Sequence, residues 1–217
     1  MLSETRGLMA LCSVHHRKEV NKRIYDIFPS VFSPSIFPST EFYANSLPIS
    51  HGERFLEIGT GSGVIAIEAL FKGAESAVAT DVDSNAVNNA LKNIYSHDLS
   101  RKITALQSDV FSNVPISKFD VIFWSLPFGY VNSPISRKSD NVVFDYKYEK
   151  INEYFSQARR YLSKSGKLYF GFSKEIGSEN ELEVILKKNN WTKKLIAESI
   201  EKEARPVDFG LYLAVSK

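Results

Sequence analysis

The sequence predicts an open, mostly parallel, doubly wound α/β sheet that ends in an antiparallel hairpin. Three observations predict it. Residues 55–68 read as a strand, a tight turn and a helix start: an apolar run ends at Glu57, glycines alternate at 59, 61 and 63, and an amphipathic helix begins. Beyond this stretch, strand-like and helix-like runs alternate, the pattern of a sheet whose parallel strands are joined by helices. The last two strand-like runs, 191–200 and 210–216, have no helix between them and pair as a hairpin.

A chain of 217 residues favours one domain with a small extension. Hydrophobic content of 43% with 24% charged residues is globular rather than disordered. A net charge of +2 neither demands nor excludes nucleic acid, since a dedicated nucleic-acid domain is usually more basic. Cys12 is the only cysteine, so no internal disulfide and no cysteine zinc site can form, and no metal is expected. That usage fits a reducing, cytoplasmic setting. No apolar run approaches the roughly 20 residues of a membrane span. The apolar patch Gly7–Val14 follows Glu4 and precedes no clear cleavage site, so it reads as part of a helix and not as a signal peptide.

Taken in order, residues 3–27 read as a helix. Ser3 is placed to cap it, and Leu8, Leu11, Cys12, Val20, Ile24 and Ile27 recur at mixed three-and-four spacing. His15 and His16 are adjacent and point to different faces, whereas a helical metal pair needs i, i+4; they read as a solvated pair. Residues 28–41 hold three prolines and three phenylalanines and cannot be a regular helix. Thr40–Leu47 reads as a short helix leading into the first strand. Residues 1–45 thus form a helical extension and covering segment, and 46–217 the main domain. Further strands fall at 77–82, 103–107, 119–124 and 167–172. Helices fall at 84–97, with Ser84 as N-cap and Asp83 assisting, at 147–162 and at 179–188. No internal repeat or low-complexity segment is present.

The glycine turn brings backbone close to a bound molecule, and the helix N-terminus after it presents free N–H groups to a carboxylate or phosphate. A dinucleotide site wants G-x-G-x-x-G. Here the third glycine comes one residue early, at Gly63, and Val64 stands where a small residue is wanted. The stretch Glu57-Ile-Gly59-Thr60-Gly61-Ser-Gly63 instead resembles the E/D-x-G-x-G-x-G signature of class I S-adenosylmethionine-dependent methyltransferases. The resemblance covers roughly residues 30–217 and is strongest from Arg54 to Phe128. It implies a seven-stranded, Rossmann-like sheet whose final strand inserts antiparallel. It implies S-adenosylmethionine as cofactor, with the glycine turn on its methionine part and Glu57 reaching the ammonium. It places the ribose-binding acid on Asp81, with Val82 beside it, in the position about 20 residues past the turn where an acid accepts both ribose hydroxyls. It puts Asp109 opposite the adenine amino group and the Val110 N–H on a ring nitrogen. Pro38-Ser39-Thr40-Glu41 resembles the Pro-x-Thr-Glu segment that, in protein-glutamine methyltransferases and their relatives, closes over cofactor and substrate.

The second informative stretch is Phe119–Tyr130, a buried strand running into Ser125-Leu126-Pro127-Phe128. It resembles the Asn/Asp-Pro-Pro-Tyr/Phe turn of methyltransferases that modify planar nitrogens, and the Asn-Leu-Pro-Tyr form of rRNA adenine dimethyltransferases. The resemblance makes Ser125 an acceptor of hydrogen bonds from the target NH2 and a neighbour of the cofactor, gives Leu126 the second carbonyl, lets Pro127 hold the turn and has Phe128 stack on the target plane. The departure is Ser125, whose hydroxyl lacks the fixed fork of an amide. A second reading has Leu-Pro-Phe simply capping the strand. Residues 129–146, polar and carrying Arg137, Lys138 and Asp140, read equally as a substrate lid or as a surface insertion. Lys187, Lys188, Lys193 and Lys194 read as a solvated face rather than an RNA patch. His51 and His97 receive no role.

The expected function is methyl transfer to an amide or amine nitrogen of a protein or RNA, nearest to protein-glutamine and rRNA guanine enzymes of the small-domain type. Two alternatives remain: methylation of a small metabolite, which Ser125 favours, and a binding protein that keeps the cofactor pocket without transfer.

Overall fold

The computed structural model of the protein describes residues 12–135, 140, 142–200 and 208–217. Its centre is a seven-stranded sheet built from β3 (Arg54–Ile58), β4 (Ser76–Asp81), β5 (Ile103–Gln107), β6 (Phe119–Ser125), β9 (Leu162–Phe172), β10 (Trp191–Ile200) and β11 (Asp208–Ser216). Their spatial order is β10-β11-β9-β6-β3-β4-β5. The pairs β5–β4, β4–β3, β3–β6 and β6–β9 are parallel. β11 lies antiparallel between β9 and β10, as the late hairpin predicts.

Alternate residues of each strand face opposite layers. Phe55, Val121 and Phe123 join a core with α1 (Ser39–Ser46), α2 (Val64–Phe71) and α3 (Ser84–Ser96). Leu56, Ile122 and Trp124 join a second core with α4 (Glu149–Tyr161) and α5 (Glu179–Lys188). Burial on both faces explains why these strands read as nearly continuous apolar runs. Asp83, not Ser84, is the N-cap of α3, its carboxylate accepting from Asn85 N at 3.0 Å.

The N-terminal region differs from expectation. Residues 12–14 are turn and bend, and β1 (His16–Val20) and β2 (Arg23–Ile27) form an antiparallel hairpin, so the helix read over 3–27 is corrected from residue 12 onward; its earlier part lies outside the described residues. Asn21 and Lys22 have φ of 50° and 63°, the left-handed pair that a two-residue hairpin turn requires. Val20, Tyr25 and Ile27 point inward while Ile24 is 51% exposed, so the apolar spacing that looks helical has one member in solvent.

What holds the hairpin is polar. Asn89 and Asn93, one turn apart on α3 and fully buried, satisfy the outer backbone of β2. Asp26 N donates to Asn93 Oδ1 at 2.8 Å, and Phe28 N donates to Asn89 Oδ1 at 2.8 Å. Both amide nitrogens donate to the Asp26 carbonyl, and Asn93 Nδ2 also donates to Ser62 O. Tyr25, Arg23 and Asn21 converge on the buried carboxylate of Glu68. Asn93→Ala orphans the buried Asp26 N–H and the Ser62 carbonyl; it should cost about 3 kcal/mol in urea unfolding. A cost below about 1 kcal/mol would show that the ladder does not secure the hairpin.

Candidate functional site

Parallel strands in register end along one edge of the sheet, and ligands of such sheets bind at that carboxyl edge. Ile58 is level with Thr80 and Trp124, Asp81 with Gln107, and Ser125 with Gly171. The glycine turn, Asp81, Asp109 and the Ser125 turn are therefore brought to one edge.

The turn itself is braced from inside. Glu57 is 2% exposed. Its Oε2 accepts from Thr60 Oγ1 at 2.6 Å and from Ala66 N at 3.1 Å, tying the turn to the first turn of α2. Thr60 N donates to Thr80 O at 2.8 Å. Gly59 and Gly63 are left-handed, with φ of 65° and 83°, and neither has room for a side chain. A Cβ on Gly59 would stand 2.7 Å from Trp124 Nε1, and one on Gly63 3.1 Å from Ala90 Cα. Gly61 is different. Only Val31, at 4.0 Å, faces the place its Cβ would take, so this glycine keeps a backbone cradle open.

Around the cradle stand the carboxylates. Asp81 Oδ2 accepts from Gly61 N at 2.9 Å and Oδ1 from Asp83 N at 3.0 Å. Burial raises its pKa above the ordinary carboxylate value, and the backbone bonds oppose that. Val82, next to it, is 52% exposed. Asp109 is half exposed and pairs with Lys150 Nζ at 2.6 Å. Val110 has φ of 48°, a strained conformation for a β-branched residue. Thr40 lies half-buried in the first turn of α1.

In the turn after β6, Ser125 is half-buried, Leu126 and Pro127 are buried and Phe128 is half-buried. Leu126 N donates to Gly171 O at 3.1 Å. Phe128 packs edge-on against Phe172, with centroids 6.1 Å apart, and lies 6.4 Å from Phe209. Its carbonyl accepts from the hydroxyl of Tyr148, a fully buried residue at φ 52° whose oxygen also accepts from Ser178 N. Within residues 129–146, β7 (Gly129–Val131) pairs parallel with β8 (Phe144–Tyr146). Asp140 is buried rather than at a polar tip, and Arg137 and Lys138 lie outside the described residues. Asp145, buried and accepting from Ile151 N, has its pKa pushed up to about 6 by burial.

Sequence reasoning missed Tyr148, Lys150, Val31 and the Asn89–Asn93 pair. Only the last carried a signal: two asparagines at i, i+4 inside a helix, where asparagine is unfavourable. Lys193, read as part of a solvated face, is held by Glu179 and Glu183. His97 stacks on Tyr25 with centroids 4.8 Å apart.

Residues 26–195 match the methyltransferase small domain family. The chain belongs to that family. As a methyltransferase small domain it is 36% identical over 93 residues to the ribosomal protein L11 methyltransferase of Carboxydothermus hydrogenoformans, covering 42% of this chain and 30% of that protein. It is 28% identical over 129 residues to a bifunctional methyltransferase of Rickettsia bellii, covering 53% and 22%. The chain thus spans about a third or less of the length of these curated relatives. Among solved structures, the T. Thermophilus 16S rRNA N2 G1207 methyltransferase in complex with AdoMet and guanosine shares the fold at TM-score 0.65 and 18% identity, covering 94% of this chain and 50% of that one. The ribosomal protein L11 methylase of Lactobacillus delbrueckii subsp. bulgaricus does so at 0.61 and 17%, covering 88% and 84%. The fold of this methyltransferase small domain is therefore the Rossmann-like sheet of S-adenosylmethionine-dependent methyltransferases.

Glu57 supplies a pH signature. Burial pushes its carboxyl from the ordinary 4.5 up to about 8, against the pull of the Thr60 and Ala66 bonds. A raised acid pKa means the folded state holds a proton that the unfolded state gives up. Its contribution to ligand-free stability is full below about 4.5 and is lost as pH rises through about 8. Glu57→Gln should flatten that fall, read as Tm against pH; parallel curves for the two proteins would place the titration elsewhere.

Proposed function

We propose that this chain is an S-adenosylmethionine-dependent methyltransferase that methylates an amide or amine nitrogen of a ribosomal protein or rRNA. One observation carries the reading. The acceptor turn Ser125–Phe128 follows Trp124 directly, and Trp124 packs against Gly59 of the glycine turn. A group held at the first turn is thereby placed beside one held at the second.

The residues present fit the cofactor. Gly61 leaves its backbone open to it, the Asp81 carboxylate would accept the two ribose hydroxyls, and Asp109 with Val110 would flank the adenine. Glu57 meets the ammonium through the turn it braces, and Thr40 lies on the covering segment. The cofactor supplies a methyl already activated on a sulfonium. What remains for the protein is placement. Phe128 stacks on the acceptor plane, Ser125 and the Leu126 carbonyl take its N–H groups, and buried Pro127 fixes the turn. Holding the nucleophile in line, about 3 Å from the methyl carbon, contributes roughly 7–11 kcal/mol. A small-metabolite acceptor is the second reading, favoured by the hydroxyl of Ser125 where a planar-nitrogen site has an amide.

Titration with S-adenosylmethionine and S-adenosylhomocysteine should give saturable binding. Asp81→Ala should weaken it at least tenfold, the loss of a charge-assisted hydrogen bond. Label from methyl-labelled cofactor should enter ribosomal protein or rRNA. Phe128→Ala should lower transfer about tenfold, the worth of one stacked aromatic, with cofactor affinity within about twofold. Label appearing only in small molecules would favour the second reading, and unchanged transfer in Phe128→Ala would misplace the acceptor.

A further inference from the structure

Tyr43 carries a hydroxyl that the fold buries without a partner. The residue is 1% exposed, and among the described residues its Oη has no partner in regular hydrogen-bond geometry. Burying a polar atom unsatisfied is costly, and phenylalanine would fill the same space without that cost. Ser125 lies directly across from Gly171 on the neighbouring strand, so its side chain projects from the same face of the sheet that the hydroxyl covers. Gly171 makes the room for it. A Cβ on Gly171 would stand 2.3 Å from Tyr43 Cζ and 2.6 Å from Oη. Gly171 is also level with Ser125 and accepts from Leu126 N. Tyr43 Oη therefore sits over the strand pair from which the acceptor turn springs, with its ring packed on Phe123 at 5.3 Å between centroids. Burial raises the phenol's pKa well above its ordinary value, so it stays protonated and able to donate.

We propose that Tyr43 is a positioning residue that gives the Ser125 hydroxyl a fixed direction and so selects an amide-type acceptor. The inference rests on the methyltransferase reading of the Ser125 turn. A serine hydroxyl rotates freely, whereas a carboxamide presents donor and acceptor in a set fork. A bond donated by Tyr43 Oη into Ser125 Oγ occupies one lone pair. It leaves one lone pair and one proton directed to the open side of Ser125. That is a donor beside an acceptor, complementary to an N–H next to a C=O. The pair Tyr43–Ser125 thus takes over what a single amide side chain presents at this place in the families it resembles.

The test uses the full chain loaded with S-adenosylhomocysteine, with propionamide and butanone as probes in saturation-transfer NMR. The wild type should prefer propionamide about fivefold, the worth of one net hydrogen bond. Tyr43→Phe should lose the preference while binding S-adenosylhomocysteine as before and melting no lower than wild type. Tyr43→Phe combined with Ser125→Asn should regain it, because the amide brings its own fork. No preference in the wild type, a preference that survives Tyr43→Phe, or a lowered Tm in that variant would each overturn the proposal. Probe binding is read without turnover. A failure to methylate ribosomal fractions would therefore count against the proposed function and not against Tyr43.

Discussion

The site depends on one buried carboxyl. Glu57 is the last polar residue of β3, and it turns back to hold Thr60 and the N-terminus of α2 at once. Three left-handed glycines in five residues would otherwise form a loose turn, because glycine loses the most conformational freedom on ordering. The bonds from Thr60 and Ala66 offset that loss, and the Asp81 bond to Gly61 N fixes the outer side. A carboxyl with its pKa pushed up to about 8 is costly to ionise in this place. A cation arriving at the turn would favour the ionised form, and its binding would then be linked to proton release from this residue.

Strain collects at the same edge. Val110, Lys147 and Tyr148 all adopt positive φ, which β-branched and bulky residues avoid. Each such residue costs on the order of 1–3 kcal/mol and persists only where the surroundings determine it. Tyr148 shows how. Its hydroxyl ties the Phe128 carbonyl to Ser178 N, and its ring is boxed by Tyr130 and Phe172. The left-handed backbone aims the ring at the acceptor turn. Val110 is turned the same way, where the resemblance puts the adenine contact.

The sheet was legible because strands buried on both faces leave long apolar runs, and because a glycine turn after such a run has few other meanings. Strand 103–107 and helix 179–188 fall where periodicity put them. The hairpin 16–27 was not legible. Its turn, Asn21–Lys22, has no glycine, and its apolar residues fall at helical spacing since Ile24 is left in solvent. Its anchoring asparagines lie more than sixty residues downstream. The site divides the same way. Residues at strand ends could be found from local pattern: Gly59, Asp81, Asp109 and Ser125. Tyr43, Lys150 and Tyr148 reach the site through packing between distant elements, which no local spacing encodes.

The two halves of the site are not independent. Trp124 precedes Ser125 and presses its indole against Gly59, where even a methyl group would collide with Nε1. A shift of the glycine turn toward the sheet must move Trp124, and with it the first residue of the acceptor turn, because cores packed to this density transmit small displacements. From the other side, Tyr148 ahead of α4 holds the Phe128 carbonyl, and Tyr43 on α1 packs on Phe123 over Gly171, the partner of Ser125 in the sheet. The glycine turn and Asp81 are thus carried by β3 and β4, and the Ser125 turn by elements packed around β6. Beyond the β3–β6 pairing itself, the Trp124–Gly59 contact joins the two turns directly.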